Sequence, residues 1–382
     1  MSRMLELEPF FDGNYATVAF ASSDYFVPYL TVALNSLVAH ADKNTNYDIF
    51  VFTKDATEEK QKYVKDFITR ENVSVRFVNV IDYFEQLKLP IHGHIGIETY
   101  FRFVMPPCLK NFDRVLYLDA DLIVLDDVNK LYSMDMQGRP IAATHDCMLT
   151  ASINSRGFKE FYPYVRDKLG LDDIERYFQA GVMLFDIKQF NEGGCSEKLI
   201  NMVKGYQYYI LDQDALNEFY KTNYFGFESE WNWQPLQKHM KELGYMEHMN
   251  PRVRERYLAV KNPRIIHYSD ANKPWFDPDE DKAVEWWFYA KDTPFYEVIL
   301  KRMYERTLSE KMSKIEHVPA EENGFKKYIP YIAKYQENKS RYFKYRILSK
   351  LTWGKRRARY KQKKNQAKYE INMVKEAVRV LS

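Results

Sequence analysis

The sequence predicts an α/β fold built on a largely parallel sheet, and three observations predict it. Apolar, β-branched-rich runs alternate with amphipathic stretches between residues 17 and 80, the order that generates parallel strands through right-handed crossovers. A further short apolar run, Arg114-Val115-Leu116-Tyr117-Leu118, reads as a strand buried on both faces. It ends in Asp119-Ala120-Asp121, and the carboxyl end of a strand is where open α/β sheets bind ligands.

Each element follows from its residues. Residues 17–22 give the first strand, and residues 28–39 the first helix, with Tyr29, Leu30, Ala33, Leu34 and Leu37 on one face. Residues 47–53 give a second strand, residues 57–69 a charged helix with Thr57 at its N-cap, and residues 73–80 a third strand. A helix is expected over residues 98–105, before the strand that ends at Asp119, and later strands at 140–145, 181–187 and 264–268. Pro319 and Gly324 interrupt the helical pattern beyond Glu316. The expected division is an α/β domain over residues 15–315, a linker over 316–338 and a tail over 339–382.

Hydrophobic residues make up 46% of the 382 positions, ample for one large core with additions. Cys108, Cys147 and Cys195 are odd in number and widely spaced, which fits neither a disulfide framework nor a metal-binding spacing and points to a reducing compartment. The first residues lack the basic and apolar regions of a signal peptide, and no apolar run is long enough to cross a bilayer. A cytoplasmic location is expected.

No GxGxxG follows the first strand, and no GxxxxGK is present. Dinucleotide dehydrogenases and P-loop enzymes are thereby disfavoured. Two adjacent carboxylates repel each other and are costly to desolvate. A divalent cation resolves both problems, since hard oxygen ligands suit Mg²⁺ or Mn²⁺ and such ions also hold phosphates. Asp-x-Asp recurs at Asp212, Asp277 and Asp279. The apolar strand before Asp119 and the run Leu122-Ile123-Val124-Leu125 after Asp121 single out this copy.

Several further islands line up in order: Phe20-Ala21-Ser22-Ser23-Asp24-Tyr25, Thr99-Tyr100-Phe101-Arg102, Phe178-Gln179-Ala180-Gly181-Val182, Asp212-Gln213-Asp214-Ala215-Leu216-Asn217, and His267-Tyr268-Ser269 with Lys273-Pro274-Trp275. Together with Leu116-Tyr117-Leu118-Asp119-Ala120-Asp121, they resemble glycosyltransferase family 8 over residues 15–280. The resemblance implies a GT-A fold (Rossmann-like), Mn²⁺ with Mg²⁺ as the alternative, a UDP-hexose donor, a glycan or lipid-linked glycan acceptor, and transfer with retention of configuration. It makes Asp119, Asp121 and His267 the metal ligands. The mixed oxygen and nitrogen set suits Mn²⁺ better than Mg²⁺.

The same resemblance places Gln213 below the anomeric carbon and Asp212 on donor hydroxyls, the two expected catalytic residues. It assigns Ala21, Ser23, Tyr25, Arg102, Ala180, Gly181, Asp214 and Lys273 to donor binding. The acids of the Asp212 island also suit a helix N-terminus, and Arg102 also suits an ion pair. This sequence departs from many relatives at Ser23 and Tyr25, where Asp and Asn are usual, at Gln179 for Asn, and at Asp270 for Gly.

Between residues 339 and 368 there are 13 Lys and Arg and no acid, while the whole chain is only +3. An acidic body therefore carries a strongly basic tail. Phe343, Ile347, Leu348 and Leu351 recur at helical spacing, ending at Trp353, and read as an amphipathic helix on an anionic membrane, with residues 339–368 as the contact. A solvated basic helix and a nucleic-acid arm are the rivals. The acidic body argues against nucleic acid. The expected protein is a peripheral enzyme on the inner face of the cell membrane, acting on a lipopolysaccharide or capsule precursor. A haloacid-dehalogenase-like phosphatase, which also places Asp-x-Asp after a strand, and a non-catalytic glycan-binding protein are the alternatives.

Overall fold

A seven-stranded sheet organises the computed structural model, which describes residues 5–13, 15–91, 96–153, 161–316, 329–351 and 354–381. The strands are β1 (Tyr15–Ala21), β2 (Asn46–Thr53), β3 (Val73–Asn79), β4 (Arg114–Leu118), β5 (Leu122–Val124), β6 (Ile141–His145), β7 (Phe178–Asp186), β8 (Phe225–Gly226) and β9 (Ile265–His267). The large sheet has the order β3-β2-β1-β4-β7-β6-β8, and β5 pairs with β9 in a second, small sheet. Two compact units partition the chain, Met1–Ala271 and Asn272–Ser382, and both sheets belong to the first.

The parallel order expected from the sequence holds for β3, β2, β1 and β4. Strand β7 then runs antiparallel to both β4 and β6, so the sheet is mixed. The chain re-enters the sheet after β6 at the edge where β6 leaves, and periodicity alone cannot report strand direction. The consequence is functional. The ends of β1, β4 and β6 and the beginning of β7 all lie on one edge.

Helix α1 (Val27–His40) is buried on most of its circumference and packs against β5. The Ser36 hydroxyl accepts from the backbone N–H of Val124 at 2.8 Å, tying α1 to β5. Helix α2 (Glu58–Phe67) begins after Thr57 as expected, but Thr57 does not cap it. Its hydroxyl donates instead to Asp24 at 3.0 Å, and its backbone N–H donates to the same carboxylate. The helix expected over 98–105 is a tight 3-10 segment, Ile97–Phe103, followed by Met105–Cys108. Pro106 and Pro107 lack the N–H groups that a continuous helix would need. The 3-10 segment turns Tyr100, Phe101, Arg102 and Phe103 all inward.

Three tryptophans form the heart of the second unit. Trp275, Trp286 and Trp287 are fully buried, with centroids 5.1 Å apart in each adjacent pair, and the Trp287 indole donates to the Pro274 carbonyl at 2.8 Å. Helices α3 (Ile329–Leu351) and α4 (Gly354–Leu381) form an antiparallel hairpin, held by Arg341 to Glu370 at 2.7 Å and by stacking of Tyr345 on Tyr360. Helix α3 begins inside the segment read as a linker, whose Pro319 and Gly324 lie outside the described residues. Of the expected apolar stripe only the Leu348 side chain is described, and it is buried; Phe343, Ile347, Leu351 and Trp353 lie outside the described side chains. Among the described residues, no helix is long and apolar enough to cross a membrane.

Candidate active site

Strand β4 delivers Asp119 to the shared sheet edge, where its backbone N–H donates to Gly181 of β7 at 2.8 Å. Asp121 is fixed two residues later, because its carbonyl accepts from Tyr268 N–H at 2.9 Å, beside the end of β9. The pairing of β5 with β9 sets Leu122 opposite His267. His267 Nε2 thereby lies 3.1 Å from Asp121 Oδ1 and 3.6 Å from Asp119 Oδ2. One donor atom from each of the three residues lies within 4.8 Å of the others.

This donor set fits a divalent cation. Two carboxylate oxygens and an imidazole nitrogen converge, with His267 almost wholly buried, and positive charge placed among them relieves the repulsion between the carboxylates. The other Asp119 oxygen, Oδ1, is held by the protein, accepting from Tyr117 hydroxyl at 2.5 Å and from Arg102 Nη2 at 3.0 Å. Gly181 makes the close approach possible. A Cβ on it would lie 2.2 Å from His267 Cε1 and 2.5 Å from Asp119 Oδ2. Its required smallness serves the Asp119–His267 pair.

Arg102 is buried and bridges two carboxylates. Besides Asp119, its Nε lies 3.0 Å from Asp212 Oδ2, its Nη1 donates to the Ala180 carbonyl, and the guanidinium stands 4.3 Å over the Tyr117 ring. Burial works against its charge, but Asp212, Tyr117 and Asp119 outweigh this and raise its pKa. Asp212 also accepts from the Thr99 hydroxyl. Burial raises the pKa of Asp212, with Arg102 opposing.

The Asp212 island occupies the first turn of the helix Leu211–Tyr220. Leu211 enters it with φ of +27°, a region that bulky residues avoid and that clusters at functional sites. Gln213 has both ends of its amide engaged. Its Oε1 accepts from Ala180 N–H at 3.0 Å, and its Nε2 donates to Asp146 at 3.0 Å and to Tyr177 hydroxyl at 3.2 Å. Asp214 is fully enclosed, accepting from Tyr164, Tyr177 and Ile210 N–H at 2.9, 2.6 and 2.7 Å. It braces the turn from inside.

Ser23 and Tyr25 follow the end of β1, where Ala21 lies. The Ser23 carbonyl accepts from Phe26 and Val27 N–H at the start of α1, and the Tyr25 ring is half exposed beside Tyr29. Asp24 anchors this loop, taking hydrogen bonds from Thr57 and Lys60. Asp270 approaches His239 within 3.1 Å. Lys273 belongs to the second unit, where its ammonium is 6.0 Å from the Trp275 ring centroid and its carbonyl accepts from Phe276 and Asp277 N–H.

Sequence reasoning missed Asp146, Tyr177, Asn232 and Tyr117. Asp146 carried a usable signal, because it directly follows an expected strand, as Asp119 does. Burial raises its pKa. Asn232 sits in a short 3-10 segment, Ser229–Asn232, with no periodic signature.

The sequence profile of glycosyl transferase family 8 matches residues 17–279, more than half of the chain. Among curated relatives, the lipopolysaccharide 1,2-glucosyltransferase of Escherichia coli K12 is 27% identical over 181 residues, 46% of this chain and 48% of the relative. Two solved structures superpose well. The bifunctional glycosyltransferase WbbM, in its apo form, has a TM-score of 0.69 at 26% identity, covering 78% of this chain and 53% of its own. The galactosyltransferase LgtC, in complex with donor and acceptor sugar analogues, has a TM-score of 0.58 at 27% identity, covering 73% and 96%. With an Asp-x-Asp and a histidine converging at the edge of a mixed α/β sheet, the chain belongs to glycosyltransferase family 8 and has the GT-A fold.

Proposed function

We propose that the protein transfers a hexose, glucose or galactose, from a UDP-sugar to a cell-surface glycan such as a lipopolysaccharide or capsule precursor, with retention of configuration and Mn²⁺ held by Asp119, Asp121 and His267. The observation that carries the reading is the convergence of these three side chains at the mixed sheet edge. The family match and the LgtC complex with donor and acceptor analogues support it. A bound ion would stabilise charge on the departing diphosphate and orient it.

The chain's own residues do the rest. Arg102 holds Asp119 and Asp212 in fixed relation, so the metal ligands and the sugar-facing turn form one rigid constellation. Gln213, clamped by Ala180 and Asp146, presents its amide in a single orientation next to the reacting centre. Ser23 and Tyr25 read the base and ribose, and Lys273 neutralises diphosphate. The basic tail recruits the enzyme to a membrane carrying a lipid-linked acceptor, through the exposed Lys355, Arg356, Arg357, Arg359, Lys361 and Lys368. No observation favours the phosphatase or the non-catalytic alternative.

Calorimetry with UDP and turnover of UDP-glucose and UDP-galactose test this reading together. UDP affinity should depend on Mn²⁺ and vanish in Asp119→Asn. Gln213→Ala should lose turnover while retaining UDP affinity. UDP binding that is indifferent to Mn²⁺ in the parent and unchanged in Asp119→Asn refutes the metal assignment.

A further inference from the structure

A hydrogen-bond chain behind His267 ends on a group whose polarity is fixed. The backbone N–H of Gly181 can only donate, and it donates to Gln179 Oε1 at 2.6 Å. The same oxygen accepts from Asn232 Nδ2 at 2.7 Å. The Asn232 amide is thereby oriented, and the atom it turns to the imidazole is its acceptor, Oδ1, 2.9 Å from His267 Nδ1. An acceptor there requires Nδ1 to carry a proton. The other ring nitrogen, Nε2, is then the one facing Asp119 and Asp121 at 3.6 and 3.1 Å. Gln179, Asn232 and His267 are all buried, so water does not compete for these bonds.

We propose that Gln179 and Asn232 are positioning residues that fix the ring orientation and the Nδ1–H form of His267, so that Nε2 is presented to the cation. This inference deepens the metal reading proposed above and rests on it. Imidazole ligands commonly donate their second N–H to an oxygen that sets tautomer and basicity, and removing that oxygen typically costs about 10–100-fold in metal affinity. Here the oxygen belongs to an amide, which has two possible orientations. Gln179 removes the ambiguity. A flipped Asn232 would set its Oδ1 against Gln179 Oε1 and its NH₂ against Nδ1–H. The glutamine also explains its own length. An asparagine at 179 is one methylene shorter and withdraws the oxygen from Asn232.

The test uses the full chain. Mn²⁺ affinity is measured by calorimetry, and the His267 Nδ1–H proton is followed by NMR in the Zn²⁺-loaded protein. The parent should bind Mn²⁺ and show a slowly exchanging Nδ1–H. Asn232→Leu should lose that signal and bind Mn²⁺ at least about tenfold more weakly. Gln179→Met, similar in size but with no oxygen to accept from Asn232, should weaken Mn²⁺ in the same direction. Gln179→Glu keeps the accepting oxygen and should bind no more weakly than the parent. If Asn232→Leu does not fold, the Met and Glu variants at 179 carry the test alone. A parent that binds no Mn²⁺ defeats the metal reading itself. A parent that binds, with Gln179→Met unchanged or Gln179→Glu as weak as Gln179→Met, overturns the positioning role while leaving the metal site standing.

Discussion

Gly181→Ala is the smallest change that should disable the candidate metal site. The added methyl would sit 2.2 Å from His267 Cε1 and 2.5 Å from Asp119 Oδ2. Ordinary contacts begin near 3.5 Å, so the imidazole must retreat by more than about 1 Å. It has little room, because its backbone N–H donates to Trp233 at 2.9 Å and Nδ1 is bound to Asn232. Asp119 is restrained as well, by Tyr117 and Arg102. Metal–ligand distances tolerate only about 0.2 Å. Overpacking of this kind costs about 1–3 kcal/mol, a fall in melting temperature of roughly 2–12 °C for a domain of this size. Metal affinity should fall by at least about tenfold, more than the stability loss alone would produce in a protein still folded at 25 °C. Calorimetric titration with Mn²⁺, paired with a metal-free melting curve, reads both effects. Mn²⁺ affinity within about threefold of the parent would refute the claim that Gly181 serves the Asp119–His267 approach.

Two further outcomes are expected. Burial holds the His145 imidazole down to about 4, against an ordinary value near 6.5. As pH falls below 6.5 the unfolded chain takes up a proton that the folded protein refuses, so stability is lost progressively toward pH 4. At about 1.4 kcal/mol per pH unit the full effect is roughly 3 kcal/mol. His145→Gln should remove that acid sensitivity, and denaturant midpoints that move in parallel for both proteins between pH 7 and pH 4 would exclude it. The tail should bring the protein to anionic vesicles at low salt and release it as salt rises, since the one described stripe residue, Leu348, is buried. Replacing Arg357, Lys361 and Lys368 by Glu should abolish sedimentation with the vesicles, at about 1 kcal/mol for each basic residue near the surface. Truncation is a poorer test, because Lys350 and Arg346 of α3 pair with Asp279 of the same unit. Parent protein that ignores such vesicles at low salt removes the membrane role.

Most strands were legible because each is a short apolar run closed by polar or glycine residues; the three-residue β5 and the two-residue β8 were not read as strands. The two carboxylates at Asp119 and Asp121 were legible because they interrupt such a run. What the sequence hid was direction and partnership. Nothing in Phe178-Gln179-Ala180-Gly181 announces that β7 runs against β4, yet this reversal brings Gly181 to Asp119. Arg102 looked like a surface cation or a ligand of the donor. Its buried bridge between Asp119 and Asp212 depends on a 3-10 segment whose inward turn has no periodic mark. Asn232 lies in a short 3-10 segment between a two-residue strand and an isolated bridge from Trp233 to Ile266, and its importance appears only when its hydrogen bonds are traced. The apolar run of residues 122–125 was noticed only as support for the motif before it, while in three dimensions it is the strand that receives His267.

That last pairing has a bearing on how the protein comes into being. Asp121 and His267 are separated by 146 residues of chain, and a ribosome adding about 5–20 residues per second needs roughly 7–30 seconds to cover that distance. Throughout the interval the two carboxylates exist without their nitrogen partner. An ion held by all three would recognise the finished protein and not the growing chain, so it would act by mass action as a latch on the small sheet of β5 and β9 rather than as a seed for the large one.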